Sequence, residues 1–129
     1  MPRPRSSGPT DGELEILQLL WELGPSMVRD VHEVLAERRG AGYTTVLKML
    51  QIMMAKGLVV RDDSRRPHIY TAAQPKENVQ GGLVGDLIAR AFGGSAANLV
   101  MRALADQSTN KEDLSTIRAM LDRLEAEES

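Results

Sequence analysis

One face of the segment 43–57, YTTVLKMLQIMMAKG, carries side chains that could contact DNA. It comprises Thr44, Lys48, Gln51 and Ala55, which recur at i, i+4, i+7 and i+11 and so share one side of a helix. Hydroxyl, ammonium and amide groups can hydrogen-bond to the edges of bases in a DNA groove. An ordinary surface helix has a similar pattern, so this face alone leaves both interpretations open.

The other face of this predicted helix is apolar. It comprises Val46, Met49, Leu50, Met53 and Met54, with Leu47 at its margin. Gly57 is expected to end the helix as the residue after its C-cap, and Lys56 suits the negative end of the helix dipole. The sequence therefore predicts a helix that is anchored through one face and offers the other to a partner.

The charge distribution suggests two functions in two parts of the chain. With 129 residues, the chain is expected to form one domain, or one small domain with an appendage. Residues 38–76 contain eight Lys or Arg and two acids, whereas residues 81–129 contain five Lys or Arg and eight acids. The net charge of −2 hides this contrast, in which the basic middle suits nucleic acid.

The sequence argues against several other classes of protein. The absence of cysteine excludes disulfides, thiolate metal sites and a cysteine nucleophile. His32 lacks a second histidine at i+4, so it is interpreted as a solvated helix residue, and GGLVG at 81–85 lacks the ending of a phosphate loop. We expect no enzymatic activity, metal or cofactor. Without a membrane-length apolar run or a signal peptide, a soluble cytoplasmic protein is expected.

The N-terminal part begins with a predicted arm at 1–9, followed by a helix. In the arm, Arg3 and Arg5 either contact phosphate or belong to a disordered tail. The helix begins at a capping box formed by Thr10 and Glu13, and its apolar face includes Trp21 as a core residue.

A second helix is predicted before the segment 43–57. Gly24-Pro25 ends the first helix, and Ser26 is expected to cap the second, which runs through Arg38. The glycine-containing turn at 40–42 joins it to the segment 43–57. Two helices joined in this way, the second with a polar outer face, predict a helix-turn-helix.

A β-hairpin is predicted after Gly57. Residues 58–61 and 68–71 are rich in β-forming residues, and 62–67 has the composition of a turn. Three helices followed by a hairpin form a winged helix. Arg65 and Arg66 at its tip are interpreted as phosphate or minor-groove contacts, although a solvated turn could contain the same residues.

The C-terminal part is predicted to form helices that cannot bury their apolar faces alone. A linker from Pro75 is followed by helices from about Val79, capped further on by Ser95 and Asn110. Their apolar positions are Leu83, Leu87, Phe92, Leu99, Leu104, Leu114, Ile117, Leu121 and Leu124. Because so small a helical unit is marginally stable, pairing with a second copy in a two-fold dimer is expected.

The order of these motifs resembles the BlaI/MecI family of penicillinase repressors. The matching segments are LEILQLLWELGP at 14–25, VRDVHEVL at 28–35, YTTVLKMLQIMMAKG at 43–57, KGLVVRDD at 56–63, HIYTA at 68–72 and LIARAFGGSAANLV at 87–100. The resemblance covers residues 10–105. YTTVLKMLQ followed by KGLV is its most specific part.

The resemblance implies a mainly α fold with a small β-hairpin wing. After the arm at 1–9, it implies a winged helix-turn-helix DNA-binding domain at 10–76, with the wing at 61–70, and a helical dimerisation region at 77–129. Such a homodimer represses transcription by binding a double-stranded, pseudo-palindromic operator, often with TACA/TGTA half-sites. The DNA-binding positions carried over are Thr44, Thr45, Lys48 and Gln51 on the helix and Arg65, Arg66 and His68 on the wing. As an alternative, Thr44 is only the N-cap of its helix.

The resemblance does not identify the inducing signal. The β-lactam-responsive branch is inactivated by cleavage of an Asn-Phe bond, which implies an upstream protease or sensor system as a partner. This chain has no Asn-Phe pair, and Arg102-Ala103 lies near the corresponding place. The lack of cysteine also excludes the metal site of the copper-responsive relatives.

A second interpretation is a winged-helix protein–protein adaptor without specific DNA binding. The locally positive charge and the two arginines at the wing tip favour DNA, whereas an acidic wing would have favoured the adaptor. An enzyme is the third and weakest interpretation, since no catalytic arrangement is present.

Overall fold

The fold is mainly α with one small antiparallel hairpin, which confirms the predicted fold class. The computed structural model describes residues 8–128, so Arg3 and Arg5 of the predicted arm lie outside the described residues. The elements are α1 (Asp11–Leu23), α2 (Val28–Arg39), α3 (Tyr43–Ala55), β1 (Val59–Asp62), β2 (Ile69–Ala72), α4 (Lys76–Ala91), α5 (Ala96–Asp106) and α6 (Lys111–Glu128). They form two compact units, and the boundary between Leu83 and Val84 divides α4.

The predicted capping box at the start of α1 is confirmed. The Thr10 hydroxyl accepts a hydrogen bond from the Glu13 backbone N–H at 3.2 Å, and the Glu13 carboxylate accepts one from the Thr10 N–H at 2.9 Å. The same carboxylate pairs with Lys56 Nζ at 2.8 Å, just beyond the end of α3. Glu13 therefore caps α1 and also joins its start to the end of α3.

Ser26 does not cap α2, so that prediction was wrong. The N-cap is Met27, whose backbone N–H donates to the Asp30 carboxylate at 2.9 Å. Ser26 is buried, and its backbone exchanges two hydrogen bonds with Tyr70, of 3.0 and 2.7 Å. Because its backbone pairs with β2, Ser26 extends the hairpin and fastens it to the connection between α1 and α2.

Gly57 ends α3 as predicted. The C-cap is Lys56, and Gly57 has a φ of +81°, a backbone conformation that suits glycine. The Gly57 N–H donates to the Met54 carbonyl at 3.1 Å, and the Leu58 N–H donates to the Met53 carbonyl at 2.9 Å. This pair of bonds is a Schellman motif, which turns the chain directly from α3 into the hairpin.

The hairpin lies one residue further along the chain than predicted. Its register pairs Val59 with Ala72 and Arg61 with Tyr70, and these side chains share the inner face of the hairpin. Val59 and Tyr70 are buried. The hairpin is therefore part of the first unit's core and holds the turn between its strands at a defined place beside α3.

One apolar core is shared by α1, α2, α3 and the hairpin. Its buried members are Ile16, Leu17, Leu19, Leu20, Val28, Val31, Leu35, Val46, Leu50, Met53, Val59 and Tyr70. Trp21, predicted as a core residue, lies at the edge of this core, and its indole N–H donates to the Gln74 carbonyl at 3.0 Å. The core fixes α3 through its inner face.

The C-terminal helices bury no residue. Helix α4 begins at Lys76, where the sequence predicted a linker up to about Val79, and Val79 packs against the first unit's core. The predicted caps are present, since Ser95 accepts from the Asn98 N–H at 3.0 Å and Asn110 accepts from the Asp113 N–H at 2.7 Å. None of α4, α5 and α6 contains a buried side chain. Within residues 8–128, no helix is long and apolar enough to cross a membrane.

Candidate nucleic-acid interface

Helix α3 separates its buried and exposed side chains cleanly. Val46, Leu50 and Met53 are each 0% exposed and hold the helix on the core. The four predicted DNA-contacting residues on the helix are all exposed, and we call them the outer face of α3: Thr44, Thr45, Lys48 and Gln51. The helix is thus oriented as its apolar periodicity predicted.

Thr44 is not the N-cap of α3, so that alternative was wrong. The N-cap is Gly42 and the helix begins at Tyr43, which places Thr44 at the second helical position. The Thr44 side chain makes no hydrogen bond or ion pair with another residue of 8–128. Its hydroxyl and methyl group are available to a partner.

Two exposed side chains of α3 were not among the candidates predicted from the sequence. Ile52 lies one turn beyond Lys48, and Tyr43 begins the helix; each is 48% exposed. The i+4 spacing from Lys48 indicates that Ile52 lies on the same side of the helix. Its side chain cannot form hydrogen bonds, so the sequence offers no chemical reason to include it. Tyr43 also packs edge-on against His32, with ring centroids 5.6 Å apart, so His32 is half-buried rather than fully solvated.

The turn of the wing is organised by two aspartates. Asp62 accepts hydrogen bonds from the Ser64 hydroxyl at 2.6 Å and the Ser64 N–H at 3.0 Å, and these bonds lower the pKa of Asp62. Asp63 pairs with Arg61 and lies 3.9 Å from His68 Nε2, and the Arg61 guanidinium lowers the pKa of Asp63. Both carboxylates are therefore ionised at neutral pH, which offsets part of the positive charge of the wing.

The two predicted wing arginines differ in their contacts. Arg66 folds back over the turn and donates to the backbone carbonyls of Asp63 at 2.7 Å and Arg65 at 3.2 Å. Arg65 is exposed, and its side chain makes no hydrogen bond with another residue of 8–128. Arg66 is thus held to the turn by hydrogen bonds, whereas the Arg65 side chain is not.

An open groove lies between the start of α2, one side of α3 and the wing. Its volume is about 450 Å³. Its basic lining comes from three different segments and consists of Arg29, Arg61, Arg66 and His68. Tyr43, Leu47 and Gln51 line the side formed by α3. The structure thus brings the predicted Gln51, Arg66 and His68 together around one groove.

Sequence reasoning did not identify Arg29 or Arg61 as candidates. Arg29 lies in α2 and approaches the wing only through the packing of the first unit, and no spacing in the sequence relates the two. Arg61 falls within a strand, where the sequence pattern indicates a place in the hairpin and no further role. In the described range 8–128, no group of His, Asp and Glu is arranged to hold a metal ion.

The predicted dimerisation residues form apolar faces that are partly or largely exposed. Phe92, Leu99 and Ile117 are half-buried. The others are between 37% and 52% exposed, namely Leu83, Leu87, Leu104, Leu114, Leu121 and Leu124. Each of the three helices therefore exposes apolar side chains at helical spacing, a feature typical of surfaces that mediate association.

Comparison with known proteins gives consistent matches over most of the chain. The profile of a family described as penicillinase repressor matches residues 9–123. Two relatives, each described as transcriptional regulator BlaI, come from Mycobacterium tuberculosis strains CDC 1551/Oshkosh and ATCC 25618/H37Rv. Each is 30% identical to this chain over 118 residues, which cover 89% of this chain and 85% of the relative.

Proposed function

The chain belongs to the penicillinase repressor family, and we propose that it is a dimeric repressor that binds a pseudo-palindromic DNA operator. The resemblance to the BlaI/MecI family is thereby confirmed, and the relatives at 30% identity carry the name of transcriptional regulators. We further propose that residues 10–76 contact DNA and residues 77–129 form the dimer.

The observation that best supports the proposal is that the outer face of α3 is exposed while the helix itself is fixed to the core. Three fully buried residues fix the opposite side of the helix, while Thr45, Lys48 and Gln51 are exposed. Gln51 also lines the groove that contains the arginines. Amide and hydroxyl groups on a rigid helix can discriminate bases in the major groove, and arginines beside it supply phosphate contacts. The geometry therefore suits sequence-specific DNA binding.

The exposed apolar faces of α4 to α6 support the dimer. A two-fold pair of DNA-binding units matches two half-sites of a pseudo-palindrome, since the symmetry of operator and protein then coincide. Tethering the two units raises the affinity of the second unit for its half-site without any new interaction.

The decisive experiment compares a TACA/TGTA palindrome with a scrambled duplex by fluorescence anisotropy at several salt concentrations. We expect at least ~10³-fold preference for the palindrome at moderate salt, and affinity that falls steeply as salt rises because counterions are released. Equal, salt-sensitive binding to both would mean that the operator differs in sequence. Binding to neither would favour the protein–protein adaptor.

The roles of helix and wing can be separated by mutation. Lys48→Ala with Gln51→Ala should reduce the preference for the operator, by about 1–3 kcal/mol for each base that the substituted side chain no longer recognises. Arg65→Ala with Arg66→Ala should instead weaken binding to both duplexes and flatten the salt dependence, because phosphate contacts carry no sequence information. A wing double mutant that binds both duplexes like the wild type would contradict the wing assignment.

A further inference from the structure

Arg29 differs from the other arginines of α2 in having no partner within the described chain, residues 8–128. Arg38 and Arg39 at the other end of the helix pair with Glu15, at 3.7 and 2.6 Å. Arg29 is exposed, lines the groove, and makes no ion pair or side-chain hydrogen bond with another residue of that range. Its guanidinium is therefore available to an anion that enters the groove.

The positive charge around Arg29 is assembled by the tertiary fold. Arg61 of β1 and Arg66 of the turn line the same groove, together with His68. Asp63 pairs with Arg61 and its carbonyl holds Arg66, so one acidic residue positions two arginines while it offsets one charge. Among the described residues, the lining of the groove includes these three guanidinium groups and no carboxylate, so it keeps an excess of positive charge although both aspartates of the wing lie nearby.

The walls of the groove are not wholly polar. Leu47 and Tyr43 on α3, Pro67 in the turn and Tyr70 on β2 provide apolar surface beside the arginines. An isolated inorganic anion would use only the charged part of this lining. A DNA strand offers both features, because its phosphate is a bidentate acceptor for guanidinium and its deoxyribose is largely apolar.

We propose that the groove holds one sugar–phosphate segment of an operator strand and that Arg29 is its principal phosphate donor. This inference rests on the proposed function, since α3 and the wing flank the groove on two sides. A phosphate held there would set the depth at which α3 enters the major groove. Arg29 is then a positioning residue, which fixes the register of the protein without reading sequence.

Fluorescence anisotropy of duplex binding tests whether the positive charge of Arg29 contributes to DNA affinity. The variants compared are Arg29→Ala, Arg29→Lys and the control Arg38→Ala. Arg38 lies on the same helix, loses the same charge on substitution, and does not line the groove. Arg29→Ala should weaken binding to operator and scrambled duplex alike, on the order of tenfold, and reduce the salt slope by about 1 for each DNA-binding unit. Arg29→Lys should retain the slope and lose part of the affinity, because lysine cannot bond bidentately.

A methylphosphonate scan of the operator locates the phosphate. Neutralising one phosphate at a time should identify a position in each half-site that weakens wild-type binding but has no further effect in Arg29→Ala. Such non-additivity shows that the two groups touch. Effects that add at every position, or an Arg29→Ala protein that matches Arg38→Ala, would overturn the inference while leaving operator preference, and thus the proposed function, intact. A wild-type protein without affinity for either duplex would overturn both.

A titration with inorganic phosphate at constant ionic strength distinguishes a free anion from DNA. Under our proposal it should compete with the duplex only weakly, since the sugar is missing. Saturable phosphate binding that requires Arg29, seen by ³¹P NMR line broadening, together with a scan lacking any Arg29-dependent position, would assign the groove to a free anion instead.

Discussion

The two units of this protein bury their apolar residues in different ways. In the first, twelve apolar side chains from three helices and the hairpin are at most 8% exposed. In the second, no side chain of the described residues is buried, and Met101 and Leu121 are 60% and 52% exposed. Apolar residues follow the helical period in both units. The pattern alone therefore does not determine whether the apolar face of a helix is buried within the same chain.

From this contrast in burial we expect the first unit to fold alone and the second to require a partner. The first unit has layered elements around one core, and its hairpin is tied to the α1–α2 connection by the backbone bonds of Ser26 and Tyr70. Burying a leucine contributes about 1.5–3 kcal/mol, a gain that the helices of the second unit obtain only against another apolar surface. The stability of the first unit should be independent of protein concentration, whereas that of the second should depend on it.

The largest effect is expected for Leu50→Ala in the first unit. Leu50 is 0% exposed at the centre of α3, and a leucine-to-alanine change in such a core costs about 2–5 kcal/mol of unfolding free energy. Urea unfolding at two protein concentrations should give the same decrease. Ile52→Ala, two residues further on and 48% exposed, is the matched control and should cost far less. Equal decreases for the two variants would contradict the burial of Leu50 in the core.

The next effect is expected for Leu121→Glu in the second unit. In the proposed dimer, a charge at this exposed apolar position should raise the dissociation constant by at least about a hundredfold, since Leu121 and its symmetry mate would no longer be buried there. Sedimentation velocity measures the change. Thr116→Glu introduces the same charge on α6 away from the Leu114, Ile117, Leu121 and Leu124 positions and should leave the dimer intact. An unchanged dimer in Leu121→Glu would place the interface elsewhere.

A shortened chain tests directly whether the first unit is independent of the second. Ending the chain after Leu83 should leave a folded monomer, because this cut follows the boundary of the first unit and keeps Val79 on its core. Ending it after Pro75 removes Val79 and should lower the melting temperature relative to the longer fragment. A fragment ending at Leu83 that still sediments as a dimer would contradict the division of roles between the units.

Features that depend on neighbouring residues were predictable from the sequence. The capping box of Thr10 and Glu13, the end of α3 at Gly57 and the caps at Ser95 and Asn110 all involve partners within five positions along the chain. The outer face of α3 was predictable because its apolar positions follow the helical period and its inner face meets a core.

Features that depend on distant partners were not predictable. Ser26 has the residue type of an N-cap, but the backbone of Tyr70 bonds to both of its backbone groups. Arg29 lines the same groove as Arg61 and Arg66 only because the fold brings the start of α2 and the hairpin to one place. A residue whose role is set by tertiary packing leaves no periodic signal in the sequence, which is why the helix that lines the groove was predictable and the groove itself was not.

The smallest change in stability is expected for the ion pair between Glu13 at the start of α1 and Lys56 at the end of α3. Glu13 is the one buried charged side chain among residues 8–128. Burial alone would raise the pKa of Glu13, but hydrogen bonds from Lys56 and Thr10 outweigh it, so the pKa lies below the ordinary value of 4.5. A depressed pKa means that the ionised carboxylate stabilises the folded state.

The sign of the pH dependence follows from that depression. The contribution of Glu13 is fully present above about pH 4.5 and is lost as the pH falls through the lower folded pKa. Glu13→Gln should therefore cost about 1–3 kcal/mol of unfolding free energy at neutral pH, and the difference from wild type should shrink in acid, as the pH falls below 4.5 and the carboxylate becomes protonated. Lys56→Met removes the ion-pair partner of Glu13. In a double-mutant cycle, Glu13→Gln should therefore cost less unfolding free energy in the Lys56→Met background than in the wild type. A difference of equal size at neutral and acidic pH would assign the role of Glu13 to packing and helix capping rather than to its charge.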